Sequence, residues 1–310
     1  MKHLTISIFC ASLCACSAGH SVPMQPLDGE WAVPSVSTAH IRTLPRHSSE
    51  MSSQALMGTP LRLSGKTESG WYLVETPEGY SGYINGNTLH VMSDSAFMQW
   101  KSSARVIVTS TGEINAYADT ISLSAVSDLV PGCILQGEAL PESKYTHITL
   151  PDGREGFVET CFITGLDGWA DQIPDPETIE ETAARQMGTP YLWGGLSSKG
   201  MDCSGLTKMA YYQVGVILPR DASQQAVCGI AISPDSLRKG DLVFFGNTQT
   251  GSVNHVGIYD ADGYFIESAG RVKRSPLADN NNFLFARRII GTADSLSAKN
   301  HPWYFIIDKN

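Results

Sequence analysis

Cys203 stands in the stretch GMDCSGL, residues 200–206, just ahead of a run with helical character. A cysteine there has four readings: a nucleophile, a metal ligand, half of a disulfide, or a buried thiol. The start of a helix makes the first reading possible. Unpaired backbone N–H groups and the positive dipole end stabilise a thiolate. The N–H of Cys203 would also help to hold an oxyanion. Gly200 and Gly205 permit close backbone approach. A catalytic thiol also needs an imidazole. Beyond residue 175 the chain has two histidines, His255 in VNHVGIYD and His301 in KNHPWYF. Taken alone, each is as readily structural, and a lone cysteine packs readily as a small hydrophobe.

The elements that must position these groups change character along the chain. Residues 28–92 read as short alternating strands, with the turn TPEG inside GWYLVETPEGYSGYI. A related layout, THITLPDGREGFVETCFI, returns about 75 residues later and marks a second small all-β unit over 100–166. DGWADQIPDPET, residues 167–178, reads as a linker rich in proline and acid. After it, PETIEETAARQMG and CSGLTKMAYYQVGV read as helices. In the second, Leu206, Met209, Ala210 and Gln213–Val214 share roughly one face. DLVFFG, NHVGIYD, GYFIESA and FLFARRII read as strands, so residues 176–310 predict an α+β domain.

Composition removes several classes. The 310 residues are 42% hydrophobic and 17% charged, with a formal net charge of -9. That is a globular chain without the basic face of a nucleic-acid binder. The opening MKHLTISIFCASLCACSAGH has a basic start, an apolar stretch and small residues, the pattern of a secretory signal over 1–16. LCAC resembles a lipobox, so Cys16 is the expected lipid anchor, and an ordinary signal peptide is the alternative. Either way the mature protein is expected outside the cytosol, in the cell envelope or facing a periplasm on a lipid anchor, with residues 17–27 as a tether. Of the seven cysteines, Cys133, Cys161, Cys203 and Cys228 then remain in the folded part. No C-x-x-C pair supports a zinc site. Cys133 and Cys161 read either as a disulfide or as buried thiols.

Four stretches in order, GTPYLWGGLSSKGMDCSGL, LPRDASQQ, LRKGDLVFF and NHVGIYDADGYFIESAG, resemble the NlpC/P60 cysteine peptidase family over residues 179–310. The two preceding β units resemble bacterial SH3-like (SH3b) domains, the first more closely. The resemblance implies a papain-like α+β catalytic domain behind two small all-β barrels, and cleavage of bacterial cell-wall peptides. It makes Cys203 the nucleophile and His255 the base, with the Tyr191 hydroxyl at the oxyanion and Asp202 and Ser204 holding substrate. Trp193 would line the cleft. The domain order resembles the YkfC-like γ-D-glutamyl-L-diamino acid endopeptidases, which cut stem peptides that begin with a free L-Ala. By that likeness the first barrel closes one end of the cleft, and Glu50, Tyr83 and Asp221 receive the alanine ammonium.

Two positions depart from the family pattern. Glu267 stands in FIESA where a polar residue, often histidine, is expected. Its carboxylate would accept the Nδ1–H of His255 and favour the imidazolium. Ala222 stands where a serine is expected after Asp221. No metal or organic cofactor is expected, and the enzyme is expected to act as a monomer on peptidoglycan stem peptides. The rival readings are an autolysin acting on intact wall and a non-catalytic wall-binding protein with Glu267 as the lesion.

Overall fold

The computed structural model describes residues 22–292 and 294–307. The signal segment and Cys16 lie outside the described residues. Two antiparallel sheets come first. One spans residues 24–92 in the order Met51–Leu56, Thr38–Arg42, Ser81–Asn85, Trp71–Glu75, Leu61–Thr67, Trp31–Pro34, Leu89–Met92. The other spans residues 105–165, and helix α1, Asp94–Ser102, joins them. The repeat is visible hairpin by hairpin. Trp71–Glu75 pairs with Ser81–Asn85 as Tyr145–Thr149 pairs with Glu155–Glu159. Each hairpin turns on Pro-acid-Gly. Gly79 N–H bonds Thr76 O and Gly153 N–H bonds Leu150 O, both at 2.9 Å. Both glycines have positive φ, +79° and +86°, which proline-led turns ending in glycine supply at little steric cost.

The expected linker is partly structured. Leu166–Asp171 form helix α2, whose Trp169 is 1% exposed and donates its indole N–H to Tyr212 O at 2.6 Å. The proline and acidic residues signalled a linker, but Trp169 had an apolar site to fill. Helix α3, Pro176–Ala184, begins as predicted, with Asp175 accepting from Thr178 N–H at 3.0 Å and Pro176 in the first turn. Helix α4, Cys203–Tyr212, is buried at every one of its positions rather than on one face. It lies against the C-terminal sheet on one side and the first barrel on another. Even Lys208 is enclosed, bonding Leu218 O at 2.6 Å and Glu78 of the barrel's TPEG turn at 3.2 Å.

Among the described residues the C-terminal sheet has six strands in the order Ile230–Ile232, Phe283–Arg288, Leu242–Asn247, Ser252–Tyr259, Tyr264–Ala269, Arg271–Pro276. The edge strand Arg271–Pro276 was not foreseen from the sequence. One apolar cluster runs through both barrels, α1, α2, α4 and Tyr304 of the C-terminal segment, so the three units share a core. Cys133 is buried, Cys161 is exposed, and both are free thiols, so the disulfide alternative is not realised. Burial pushes the Cys133 thiol up to about 12, as expected of an inert core residue.

Candidate active site

The loop that delivers Cys203 is built around Asp202. Its Oδ1 accepts from Gly205 N–H at 2.7 Å, which caps α4, and from Arg220 at 3.1 Å. Its Oδ2 accepts from Gly194 N–H at 2.9 Å and from Arg220 Nη2 at 2.5 Å. Arg220 is 1% exposed and also reaches Ser204 Oγ at 2.9 Å and, across the domain junction, Ser53 Oγ of the first barrel at 3.0 Å. Asp202 and Ser204 therefore border the cleft, but their polar atoms are committed to the turn and to Arg220. Glycine is required where the loop touches backbone. A Cβ on Gly205 would lie 2.1 Å from Gly195 O, and one on Gly194 would lie 2.5 Å from Met51 O.

Cys203 is the first residue of α4, and among the described residues no acceptor takes its N–H. That donor is free for a developing oxyanion. His255 comes from the strand Ser252–Tyr259, which packs against α4. Its Nε2 lies 2.6 Å from Glu267 Oε2, and the nearby Cys203 favours charge on the ring. The sequence expectation that Glu267 takes Nδ1 is thereby corrected. The carboxylate takes Nε2–H and leaves Nδ1 for sulfur. Glu267 comes from the neighbouring strand and is 6% exposed. Ser275 Oγ donates to its other oxygen at 2.6 Å, and Lys273 Nζ stands 3.6 Å from that oxygen.

The electrostatics favour an imidazolium. Burial opposes charge on His255, but the cysteine sulfur and the Glu267 carboxylate outweigh it and push the imidazole up to about 9. Burial likewise opposes charge on Glu267, yet His255, Ser275 and Lys273 hold it below the usual carboxylate range. The sign of the consequence follows. A raised imidazole keeps its proton as pH climbs and loses it near 9, so the proton needed by a leaving amine disappears there. Glu267→Gln removes one of the groups that raise it. The alkaline limb of kcat/KM for peptide hydrolysis should therefore fall near pH 9 in the wild type and at lower pH in the variant. An unmoved limb would deny Glu267 this role.

An open cleft of about 880 Å³ surrounds Cys203. Tyr191, Trp193, Asp221, Ala222, Val253 and Asn254 line it from the catalytic domain, and Thr43, Glu50, Ser52 and Tyr80 from the first barrel. Tyr191 is pushed up to about 12 by burial and by the charge of Cys203, so its hydroxyl remains a donor. The indole N–H of Trp193 bonds Glu50 Oε1 at 2.7 Å and ties the two domains together at the rim. Asp221 is pushed upward by burial, against the pull of Arg220. Tyr83 is not on the wall. It lies in the strand Ser81–Asn85 opposite Leu73 and Arg42, and Tyr80 takes the expected place. His301 is held away from the cleft, its Nε2 2.9 Å from Pro77 O.

Arg220, Tyr80, Ser275 and Lys273 were not singled out from the sequence. Arg220 stood inside the motif LPRDASQQ and could have been read as a partner for Asp202. The others carry no local signal.

The NlpC/P60 family matches residues 188–289, and the bacterial dipeptidyl-peptidase SH3 domain matches residues 41–89. The probable endopeptidase NlpC of Escherichia coli K12 is 45% identical over 111 residues, covering 33% of this chain and 70% of that protein. A gamma-D-glutamyl-L-lysine dipeptidyl-peptidase of Bacillus cereus is 38% identical over 131 residues, 41% of this chain but only 39% of that protein's length. The crystal structure of an NlpC/P60 family protein from Bacillus cereus superposes with a TM-score of 0.75 at 23% identity, covering 84% of this chain and 99% of that one. That last likeness establishes the three-unit α+β fold.

Proposed function

Since the chain belongs to the NlpC/P60 family, we propose that it is a cysteine peptidase cutting the γ-D-glutamyl–diamino acid bond of stem peptides with a free N-terminal L-Ala. The observation that carries this reading is the position of the first barrel. It brings Glu50 and Tyr80 to the cleft that Asp221 and Cys203 also line. Two carboxylates on one cleft suit a terminal ammonium, which satisfies them on binding. A wall strand whose L-Ala is acylated has no such charge and would leave them unpaired. The name of the Bacillus cereus relative supports the choice of bond.

In this mechanism the Cys203 sulfur attacks the γ-carbonyl of D-Glu. The Cys203 N–H and the Tyr191 hydroxyl take the oxyanion. His255 protonates the departing amine, then draws a proton from water to hydrolyse the thioester. Glu267 holds the ring so that one nitrogen faces sulfur throughout. Ala222 contributes no hydrogen bond where the family pattern expects a serine. The products are L-Ala-D-Glu and the diamino acid portion, which fits reuse of released wall fragments better than lysis of intact wall. The leader and LCAC motif add a second proposal, an exported enzyme tethered through Cys16.

Glu50→Gln and Asp221→Asn test the ammonium site. Loss of a charge-assisted hydrogen bond costs about 1.5–3 kcal/mol, so each should raise KM for a free-amine peptide roughly 10- to 100-fold. Turnover of an N-acetylated peptide should not worsen. Equal losses on both peptides would remove the ammonium site from the account.

A further inference from the structure

Glu267 stands where a polar residue, often histidine, was expected, and a buried carboxylate there brings a requirement of its own. At 6% exposure its charge must be supported by protein groups. The structure supplies them from the edge strand. Arg271–Pro276 pairs antiparallel with Tyr264–Ala269, placing Lys273 directly opposite Glu267 and Ser275 two residues along on the same face. Ser275 Oγ donates to Oε1 at 2.6 Å, while Oε2 receives His255 at 2.6 Å. The two oxygens thus have separate partners, and the carboxylate is fixed in rotation as well as in charge.

We propose that Ser275 is a positioning residue for the Cys203–His255 pair, with Lys273 as its weaker partner, and that together they keep Glu267 an oriented carboxylate. The inference rests on the cysteine-peptidase reading above, but not on its choice of peptide. The groups that face Glu267 are few. The preceding strand brings His255, and the following strand brings Ser275 and Lys273. Arg274, the intervening residue, pairs instead with Asp260. Helices α3 and α4 also pack on this strand, and α4 brings Cys203 to His255. Neither helix brings a further charged group to Glu267 among the described residues.

Without Ser275, burial regains weight and Glu267 takes up a proton at a higher pH. A Glu267 that has taken up a proton carries no charge, so the Nε2–H of His255 loses its carboxylate acceptor and the imidazolium is no longer held firmly beside sulfur. The defect must therefore appear on the acid side. Glu267→Gln, by contrast, lowers the alkaline limb. Lys273 is 41% exposed and 3.6 Å away, so solvent screens it and its removal costs less.

The experiment measures Cys203 alkylation by iodoacetamide in the full chain at pH 5 and pH 8, each variant as a ratio to wild type. Ser275→Ala should lose about tenfold at pH 5, the equivalent of one hydrogen bond to a charged group, and less than twofold at pH 8. Ser275→Thr should restore the pH 5 rate, and Lys273→Met should fall between Ser275→Ala and wild type. An equal loss at both pH values, no loss at either, or failure of threonine to rescue would overturn the proposal. Alkylation needs no peptide, so a wrong substrate would leave this pattern intact and show only as absent dipeptide release.

Discussion

Cys203→Ala should abolish release of L-Ala-D-Glu from a free-amine stem peptide, with a loss of about 10⁵-fold or more in kcat. Removing the nucleophile of a coupled nucleophile–base pair costs nearly the whole chemical acceleration, because the base has nothing to activate. Binding should survive, since Glu50, Tyr80 and Asp221 are untouched. The fold should survive too. Cys203 is 9% exposed, and the Asp202 cap that starts α4 bonds Gly205 rather than the thiol. Single-turnover assays together with peptide titration separate the two effects. A variant that binds peptide but yields no dipeptide fits this account. A variant that still turns over at the wild-type rate would move the nucleophile elsewhere.

The second large effect is on stability and comes from Arg220. Its guanidinium is 1% exposed and joins Asp202, Ser204 and Ser53, so one side chain holds the nucleophile's loop and the first barrel together. Removing one partner of a buried pair strands the other charge, at a cost of about 3–5 kcal/mol. Arg220→Met should therefore lower Tm by roughly 10 °C. It should also impair catalysis, because Asp202 orients the turn into α4. The double variant Arg220→Met with Asp202→Asn should be less damaged than the sum of the single variants, since the stranded charge is gone while a capping oxygen remains. Thermal melts of the four proteins give the coupling directly. Strict additivity would mean that the pair does not act as a unit.

The parts of this molecule that were legible in its sequence are those written locally. The two Pro-acid-Gly hairpins appear as matching strings because proline and glycine fix turn geometry over four residues. Cys203 and His255 could be paired because one begins a helix and few histidines compete. What the sequence hid depends on contacts across the chain. Tyr80 rather than Tyr83 faces the cleft because it belongs to the turn, where strand alternation gives no direction. Glu50 meets Trp193 across 143 positions. Cys133 and Cys161 lie in the same sheet unit, yet one points into the core and the other outward, which spacing alone does not reveal. Ser275 was invisible because the strand carrying it, RVKRSP, has too many charges to read as a strand, and an edge position tolerates them. Trp169 had the opposite history, an apolar residue in a linker-like stretch that found a core to fill.

The central claim is a cysteine peptidase whose walled cleft selects a free amino terminus. Its most direct test is product analysis of the wild-type protein on two peptides, L-Ala-γ-D-Glu-diamino acid and the same peptide acetylated on L-Ala. The account predicts release of L-Ala-D-Glu from the first and at least a hundredfold slower cleavage of the second, equivalent to about 2.7 kcal/mol at the ammonium site. Equal cleavage of both peptides, or cleavage at any other bond, would contradict it.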